Sequence, residues 1–504
     1  NNAKNNIGIN KTYSDKLNTQ VATGQKITRP SDDPVIAIRA LRLNSNIAEL
    51  NQYYDKNIPD ADAWLTTTET ALDQTNTILE SIQSQLTTGA SDDNTADDRM
   101  NLLENLSSLR DQIYNAGNAD YAGRTVFTGY RTGESLTFME DTGNLRYQMT
   151  EELTFEDVSK INYVSGDFEV NKSSLTSVTE QNISNTEVYR IRLAYNNLSD
   201  PQKDASGADL SPNISYTLKD GTTGSYTVDV VSFTGNQTAD DKYYTDIGDD
   251  EVKLIADTGE LILGANVAKT LQADGTTMSI EYGKSEFEKG DLRPEHYFAC
   301  KSMDTDDSAA NVISYNYDDS GDPDFQRQKI TYEVAFNQSL EINTNACDVF
   351  THNIGRDVDE LVELTQAVID IESKIDTLKE MQGDTSYSDT EQETIASMLE
   401  AATKEFDYLK ENMQNRFSEA ITAFQGYAFQ LNTENASAGS KSERLELTRE
   451  RVSEQRQNFK ELADTNINID LTDAAIDLKS AEVALQASQA ATAKIVQQSL
   501  LNYL

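Results

Sequence analysis

The stretch FSEAITAFQGYAFQLNTENASAGSKSERLELTRERVSEQRQNF, residues 417–459, places an apolar residue at every seventh position: Phe417, Phe424, Leu431, Ala438, Leu445, Val452 and Phe459. Seven residues bring an α-helix back to the same side after two turns, so this run predicts one long helix laid along a neighbour. The companion seam is less apolar, with Glu434, Lys441 and Gln455, which predicts a bundle of limited stability rather than a tight coiled coil. Upstream, Ser388 and Glu391 have the S-x-x-E spacing of a capping box, so the helix is expected to start there. Unbroken to Leu462, it would be about 110 Å long at ~1.5 Å per residue, with Gly426 and Gly439 as its weak points.

A second sevenfold run lies in the other half of the chain. Leu65, Leu72, Leu79 and Leu86 stand seven apart, and Ala61, Thr68, Thr75 and Ile82 fill the companion position. Before it, Ala40, Leu43, Ile47, Leu50 and Tyr54 alternate by three and four; Pro59, which lacks an N–H, is expected to interrupt this pattern. Gly89 and the acidic loop Ser91 to Asp98 close the second run. A further helix carries Leu102, Leu106, Leu109 and Ile113 up to Gly117-Asn118, residues that tolerate the left-handed conformation of a helix end. Helical spacing returns at Arg356, through Leu361, Leu364, Val368, Ile371, Ile375 and Leu378, and stops at a loop from Gly383 to Tyr387.

The extreme ends carry shorter patterns. Ile9, Tyr13, Leu17 and Val21 recur every fourth residue, and the stripe ends near Gly24. After a break at Asp464 to Asp470, Leu471, Leu478 and Leu485 combine with Ala474, Ala475, Ala481 and Ile495 in a final Ala-rich helix. In Arg29-Pro30-Ser31-Asp32-Asp33-Pro34, Asp33 suits a helix N-cap and Pro34 the first turn, where no amide donor is needed. Residues 1–29 carry a formal +4 and those after 466 a formal −2, so the two ends are complementary. Short amphipathic helices are marginal alone. These arms are expected to gain order by burying their stripes, here named as the candidate assembly interface.

Between the helical halves, from roughly Val126 to Phe350, the period changes to two and the composition turns to Thr, Ser, Tyr, Gly and Asp. Tyr189, Ile191, Leu193 and Tyr195 alternate with polar residues; Ile214, Tyr216 and Leu218 lead through Asp220-Gly221 to Tyr226, Val228 and Val230, a hairpin signature. Val252 to Ile255 and Leu261 to Leu263, around Asp257-Thr258-Gly259, read as another. A sandwich and a small barrel fit equally well. The expected fold class is therefore α+β and multidomain: a long helical core from both chain ends with a central β-rich outer region. Its parts are an N-terminal arm (1–33), the helical core's first half (34–125), the β-rich region (126–350, with an enlargement at 165–330), the core's second half (351–464) and a terminal helix (465–504).

Composition narrows the function classes. A chain of 504 residues exceeds what a single core usually holds. With 85 acids against 42 bases and a formal charge of −43, nucleic acid is an unsuitable partner, because phosphate binding depends on Lys and Arg. No apolar run is long enough for a membrane span, no signal peptide is visible, and a start at Asn1 without methionine suggests a missing N-terminus. Cys300 and Cys347 allow one bridge at most and have no metal-ligand spacing. No enzyme is expected: His296 and His352 are too far apart for an H-E-x-x-H pair, no phosphate loop is present, and no cofactor site emerges. Abundant carboxylates alone define no glycosidase pair. Asp246 to Glu251 and Asp318 to Asp322 are calcium-like acidic loops lacking the full EF-hand ligand order, so solvated surface loops are the expected reading and no metal is assigned.

Three motifs carry a family resemblance. Gly24-Gln25-Lys26-Ile27-Thr28-Arg29-Pro30-Ser31-Asp32-Asp33-Pro34 resembles the segment after the first helix in the flagellin-like family of bacterial flagellar subunits. Its two prolines resemble the hook-associated members, where filament flagellins usually have Ser-Ala-Asp-Asp-Ala. Gly123-Arg124-Thr125-Val126-Phe127-Thr128-Gly129-Tyr130 is similar to the family's exit from helices into strands. Ala484-Leu485-Gln486-Ala487-Ser488 and the ending Ser499-Leu500-Leu501-Asn502-Tyr503-Leu504 resemble its C-terminus. The resemblance implies a secreted, extracellular structural subunit joining hook to filament by helical self-assembly through paired terminal arms. Its implied partners are further copies of itself, the first hook-associated protein, flagellin and an export chaperone, with no nucleic acid and no membrane. The alternatives are a filament flagellin, or a relative whose central domain is an enzyme or adhesion module.

Overall fold

The structure, a computed structural model, describes residues 2–91, 94–305, 311–315 and 328–501. Its long helices are α1 (Asn2–Thr23), α2 (Pro34–Gln52), α3 (Ile58–Gly89), α4 (Ala96–Ala116), α5 (His352–Gly383), α6 (Asp389–Ile467) and α7 (Leu471–Leu501). The strands are β1 (Leu145–Thr154), β2 (Val158–Ser165), β3 (Ser184–Arg192), β4 (Asn213–Thr217), β5 (Thr223–Thr227), β6 (Asp229–Val231), β7 (Val252–Ile255), β8 (Glu260–Leu263), β9 (Thr277–Lys284), β10 (Ala299–Asp304), β11 (Ile313–Tyr315), β12 (Thr331–Ala335) and β13 (Gln338–Glu341). The fold is α+β and multidomain, with the strands between two helical halves. Two compact units are present: unit 1 comprises residues 1–62, 331–340 and 441–504, and unit 2 comprises 63–330 and 341–440.

The sevenfold runs bury as their spacing requires. In unit 2, Leu65, Leu72, Leu79 and Leu86 are buried on α3, and Phe417, Phe424, Leu431 and Ala438 on α6. Thr68 and Thr75 enter the same seam because their hydroxyls donate to Trp64 O at 3.0 Å and Ala71 O at 2.8 Å, leaving the methyl groups to pack. Gly89 closes α3 where a Cβ would lie 2.4 Å from the Phe417 ring. α6 runs for 79 residues and passes Gly426 and Gly439 without a break. At its start, Ser388 N donates to Glu391 Oε2 at 2.7 Å and Glu391 N to Ser388 Oγ at 3.4 Å.

Three boundaries in unit 2 differ from the reading of the sequence, and in unit 1 α6 continues to Ile467, past Leu462 and past Asp464, where the break was expected. The acidic loop is shorter, because Thr95 and Asp98 form their own capping box and draw Asp97 and Asp98 into α4. Gly117 is right-handed (φ −65°); a glycine is needed there because a Cβ would meet Leu136 Cδ2 at 2.3 Å. α5 begins at His352, ahead of Arg356.

The middle of unit 2 holds two sheets, β2-β3-β8-β7-β6 and β11-β10-β1-β9-β4-β5. All pairings are antiparallel except β6 with β7. Both expected hairpins are present, β4–β5 and β7–β8, although Val230, expected in the first, lies on β6 of the other sheet; Gly259 turns the second with φ +64°, where a Cβ would lie 1.9 Å from the Tyr195 carbonyl oxygen. Inward side chains of both sheets, among them Met149, Ile191, Leu254, Leu261, Ile280 and Tyr282, share one apolar core.

An ion network ties β3 to α5 and α6 inside unit 2. Arg192 contacts Asp357 at 2.5 Å and Glu360 at 2.8 Å, Arg190 contacts Glu360 at 2.5 Å and also Glu260, and Arg416 contacts Asp357 at 2.7 Å. The Tyr427 hydroxyl donates to Asp357 at 2.7 Å. Burial by itself would raise the Glu360 carboxyl; Arg190, Arg416 and Arg192 outweigh it and lower the pKa to about 2. Such a network is costly to break, since losing one member leaves buried charge uncompensated.

In unit 1, Pro59 does not end the helical path. A π-turn, Tyr53–Asn57, joins α2 to α3, and the Ile58 amide reaches back to Tyr53 O; the wider turn accommodates a proline that would clash with a regular α-helical carbonyl. The hairpin β12–β13 packs here, with Phe336 edge-on to Tyr53 at 5.8 Å and the Asn57 amide donating to Glu333 O at 2.8 Å. Leu445 and Val452 of α6 are buried and Phe459 is half-buried.

Candidate assembly interface

The arms form an antiparallel helix pair, α1 with α7. Gly24, with φ +73°, turns the chain out of α1. The next residues then bond to the start of the other arm: Lys26 N donates to Ile467 O at 2.7 Å, Ile469 N to Gly24 O at 3.0 Å, and Gln25 bridges Asn468. Further along, Asn10 Nδ2 donates to Ser488 Oγ at 3.2 Å.

Along α1 the protected residues are Ile7, Asn10, Ser14, Leu17, Gln20 and Val21; along α7, as far as its side chains are described, they are Ala474, Leu478, Ala481, Glu482, Leu485, Ser488 and Thr492. Gln20 and Glu482 apart, both series step by three and four, the spacing of a two-helix seam. Of these side chains Leu17, Ala474 and Ala481 are fully buried. Small and polar residues make up much of the seam, so the pair is thin.

The structure separates the named arm residues. Leu17, Val21, Leu478 and Leu485 lie in the seam, whereas Ile9 (60% exposed), Tyr13 (52%) and Leu471 (57%) face outward. Ile495 is in α7, but its side chain is outside what the structure describes. A strict four-residue step drifts about 40° per step around a 3.6-residue helix, so the stripe from Ile9 to Val21 leaves the seam as it approaches the N-terminus. Ile476 and Val483 of α7, and Val35, Ile38 and Leu41 of α2, are further exposed apolar residues of unit 1.

The loop Arg29 to Pro34 uses its two aspartates differently. Asp33 caps α2, accepting from Val35 N at 3.0 Å and Ile36 N at 3.2 Å, with Pro34 following. Asp32 accepts from Arg29 N at 2.8 Å and Thr28 N at 3.0 Å, and these bonds hold its carboxyl below the usual range. Arg29, Pro30 and Ser31 are exposed. The role of Asp32 was hidden in the sequence because Asp33 already satisfied the capping pattern. The opposite formal charges of the arms form no ion pair between α1 and α7 among the described residues.

Elsewhere, His352 is buried against Tyr195, Tyr297 and Phe298, and burial, with Arg356 nearby, pushes its pKa down to about 3. His296 ends a 3-10 turn with Nε2 3.1 Å from Ser135 O. In the acidic loop from Asp246, Glu251 folds back to accept from Gly248 N at 3.0 Å and Asp250 accepts from Asn266 at 3.0 Å. The loop Asp318 to Asp322 is outside the described residues. Among the described residues no group of three or more His, Cys, Asp or Glu is placed to hold a metal ion, no disulfide links Cys300 and Cys347, and no helix is long and apolar enough to cross a membrane.

The terminal helices resemble known proteins. Residues 1–132 match the bacterial flagellin N-terminal helical region and residues 421–504 the bacterial flagellin C-terminal helical region. Among individual proteins the chain is similar to flagellar hook-associated protein 3. It is 34% identical to that protein from Salmonella typhimurium and 33% to that from Escherichia coli, each over 129 residues, 25% of this chain and 40% of the relative. The chain thus spans about two fifths of the length of these curated relatives. A flagellin from Clostridium tyrobutyricum is 26% identical over 134 residues, 26% of this chain and 35% of that protein. The flagellar junction protein FlgL from Legionella pneumophila aligns over 82% of this chain and 99% of its own, with 12% identity and a TM-score of 0.26.

Proposed function

We propose that this chain is a secreted structural subunit of the bacterial flagellum that joins hook to filament, assembling with copies of itself through its terminal arms. The observation that carries this reading is the state of the arms. α1 and α7 share a narrow seam while Ile9, Tyr13, Leu471, Ile476 and Val483 remain exposed beside it, an apolar surface that a neighbouring subunit would cover. The motif Arg29 to Pro34 fits the same role by fixing where α2 begins. The arms 1–33 and 465–504 act as assembly elements, 34–125 and 351–464 as the two halves of the helical core, and 126–350 as the outer region. The first hook-associated protein and flagellin are its flanking partners, and an export chaperone covers the arms beforehand.

Labelling the chain in intact flagella tests this. The expected signal is confined to a short zone between hook and filament; signal along the whole filament would instead make the chain a filament flagellin.

A further inference from the structure

Every sheet has edges, and an open edge presents unpaired N–H and C=O groups to any extended strand. In unit 2 three of the four edges of the large sheets are short or covered. β6 and β11 have three residues each. On β2, the Asn412 amide of α6 donates to Asn162 O at 3.1 Å. The fourth, β5, runs for five residues, Thr223-Gly224-Ser225-Tyr226-Thr227, with Thr223, Ser225 and Thr227 exposed.

The protections an edge strand can carry in its own sequence are missing from β5. It holds no charge, no proline and no bulge, although the whole chain carries −43. The register with β4, together with Leu218 N donating to Thr222 O at 2.8 Å, directs the polar groups of Gly224 and Tyr226 towards β4. By alternation those of Thr223, Ser225 and Thr227 point to the open side.

We propose that β5 pairs antiparallel with β5 of a second copy of this chain, across a twofold axis at Ser225, joining two six-stranded sheets into one. The strand is self-complementary in that arrangement. Ser225 meets its own copy, Thr223 meets Thr227, and Gly224 meets Tyr226. An aromatic residue opposite a glycine already occurs between β4 and β5, where Tyr216 lies opposite Gly224 and a Cβ on that glycine would be 2.4 Å from the Tyr216 hydroxyl. The twofold contact repeats the pairing once more. Charge selects a second copy over most of the remaining surface, because an acidic chain associates with itself most readily where it carries no charge. Asp220 and Asp229 flank the strand, and the twofold brings each towards the other's copy. The contact should therefore strengthen with salt, opposite to an ion-paired interface.

Sedimentation of the full-length chain carrying Leu478→Asp and Leu485→Asp, which disables the arms, isolates this contact. The expected result is a concentration-dependent dimer that tightens with added salt. Ser225→Pro should weaken it about tenfold or more, since the lost N–H faces the open edge and is not part of the β4 ladder. Ser225→Lys, which sets two ammonium groups face to face, should have the same effect and decides the matter if the proline variant misfolds. A chain that stays monomeric with its arms disabled, or a dimer indifferent to a correctly folded Ser225 variant, overturns the proposal.

Discussion

Unit 1 and unit 2 solve the problem of a long, acidic chain in opposite ways. Unit 2 buries its apolar side chains in continuous cores and pairs its buried charges, Arg190, Arg192 and Arg416 with Asp357 and Glu360. Unit 1 has the smaller share of the residues, yet it holds eleven of the eighteen large apolar side chains that are exposed among the described residues. The difference teaches which part is complete. A body with closed cores and mated charges carries its own source of stability; a pair of helices with a narrow seam is marginal alone and, under the proposed assembly, is completed by neighbouring subunits.

The sharpest way to break the comparison is to damage unit 2 from within. Glu360→Ala removes the carboxylate that Arg190 and Arg192 share and leaves them only Glu260 and Asp357, and breaking a buried pair typically costs about 3 to 5 kcal/mol. Thermal melting should show a large loss in the β-rich part, with assembly through the arms impaired only as the body unfolds. Leu478→Asp with Leu485→Asp should do the reverse. Both leucines are half-buried, so about 2 to 3 kcal/mol of seam packing is at stake. Incorporation into flagella should be abolished while circular dichroism of the body is unchanged; a double variant that still assembles would refute the hydrophobic account of the arms.

Acid should act on unit 2 in the same direction as Glu360→Ala. Glu360, with a folded pKa of about 2, contributes stability above its ordinary carboxylate pKa that is lost as pH falls towards 2. His352, held neutral with a pKa of about 3, is protonated first in the unfolded chain, so it too disfavours folding as pH falls. Between pH 4.5 and 3 both groups pull together, each by up to about 1.4 kcal/mol per pH unit. A pH series of melting curves should decline steeply there, and His352→Gln should flatten the decline.

Smaller effects sharpen the picture of the arms. Asp33→Ala removes the α2 cap and should cost about 1 kcal/mol, read as a lower melting temperature of unit 1. Lys11→Glu with Lys16→Glu should only slow assembly, because exposed charges are worth about 0 to 1 kcal/mol and no cross-arm ion pair is formed among the described residues. A charge reversal that stops assembly outright would shift the weight from packing to electrostatics.

Much of this was readable residue by residue. The sevenfold series from Phe417 to Val452 and from Leu65 to Leu86 predicted buried seams, and Asp33, Pro34, Ser388 and Glu391 predicted helix starts. Each of these signals is local, since a period or a cap depends on neighbours within a turn or two. Pro59 was misleading for the same reason: the proline forbids a regular turn, but a π-turn stabilised by distant Phe336 and Glu333 can carry the helix past it.

What tertiary structure alone decided is which local possibility is used. The spacing of α1 allowed Ile9 and Tyr13 as well as Ile7 and Asn10 to face a partner, and the geometry of α7 selected the latter. Strand order, the convergence of Arg190, Asp357 and Arg416 from distant parts of the chain, and the open edge at β5 likewise have no local signature. By itself the sequence determined the periods and caps, because backbone geometry enforces them within a few residues; the pairing of faces and edges depends on contacts hundreds of residues apart, which only the assembled fold brings together.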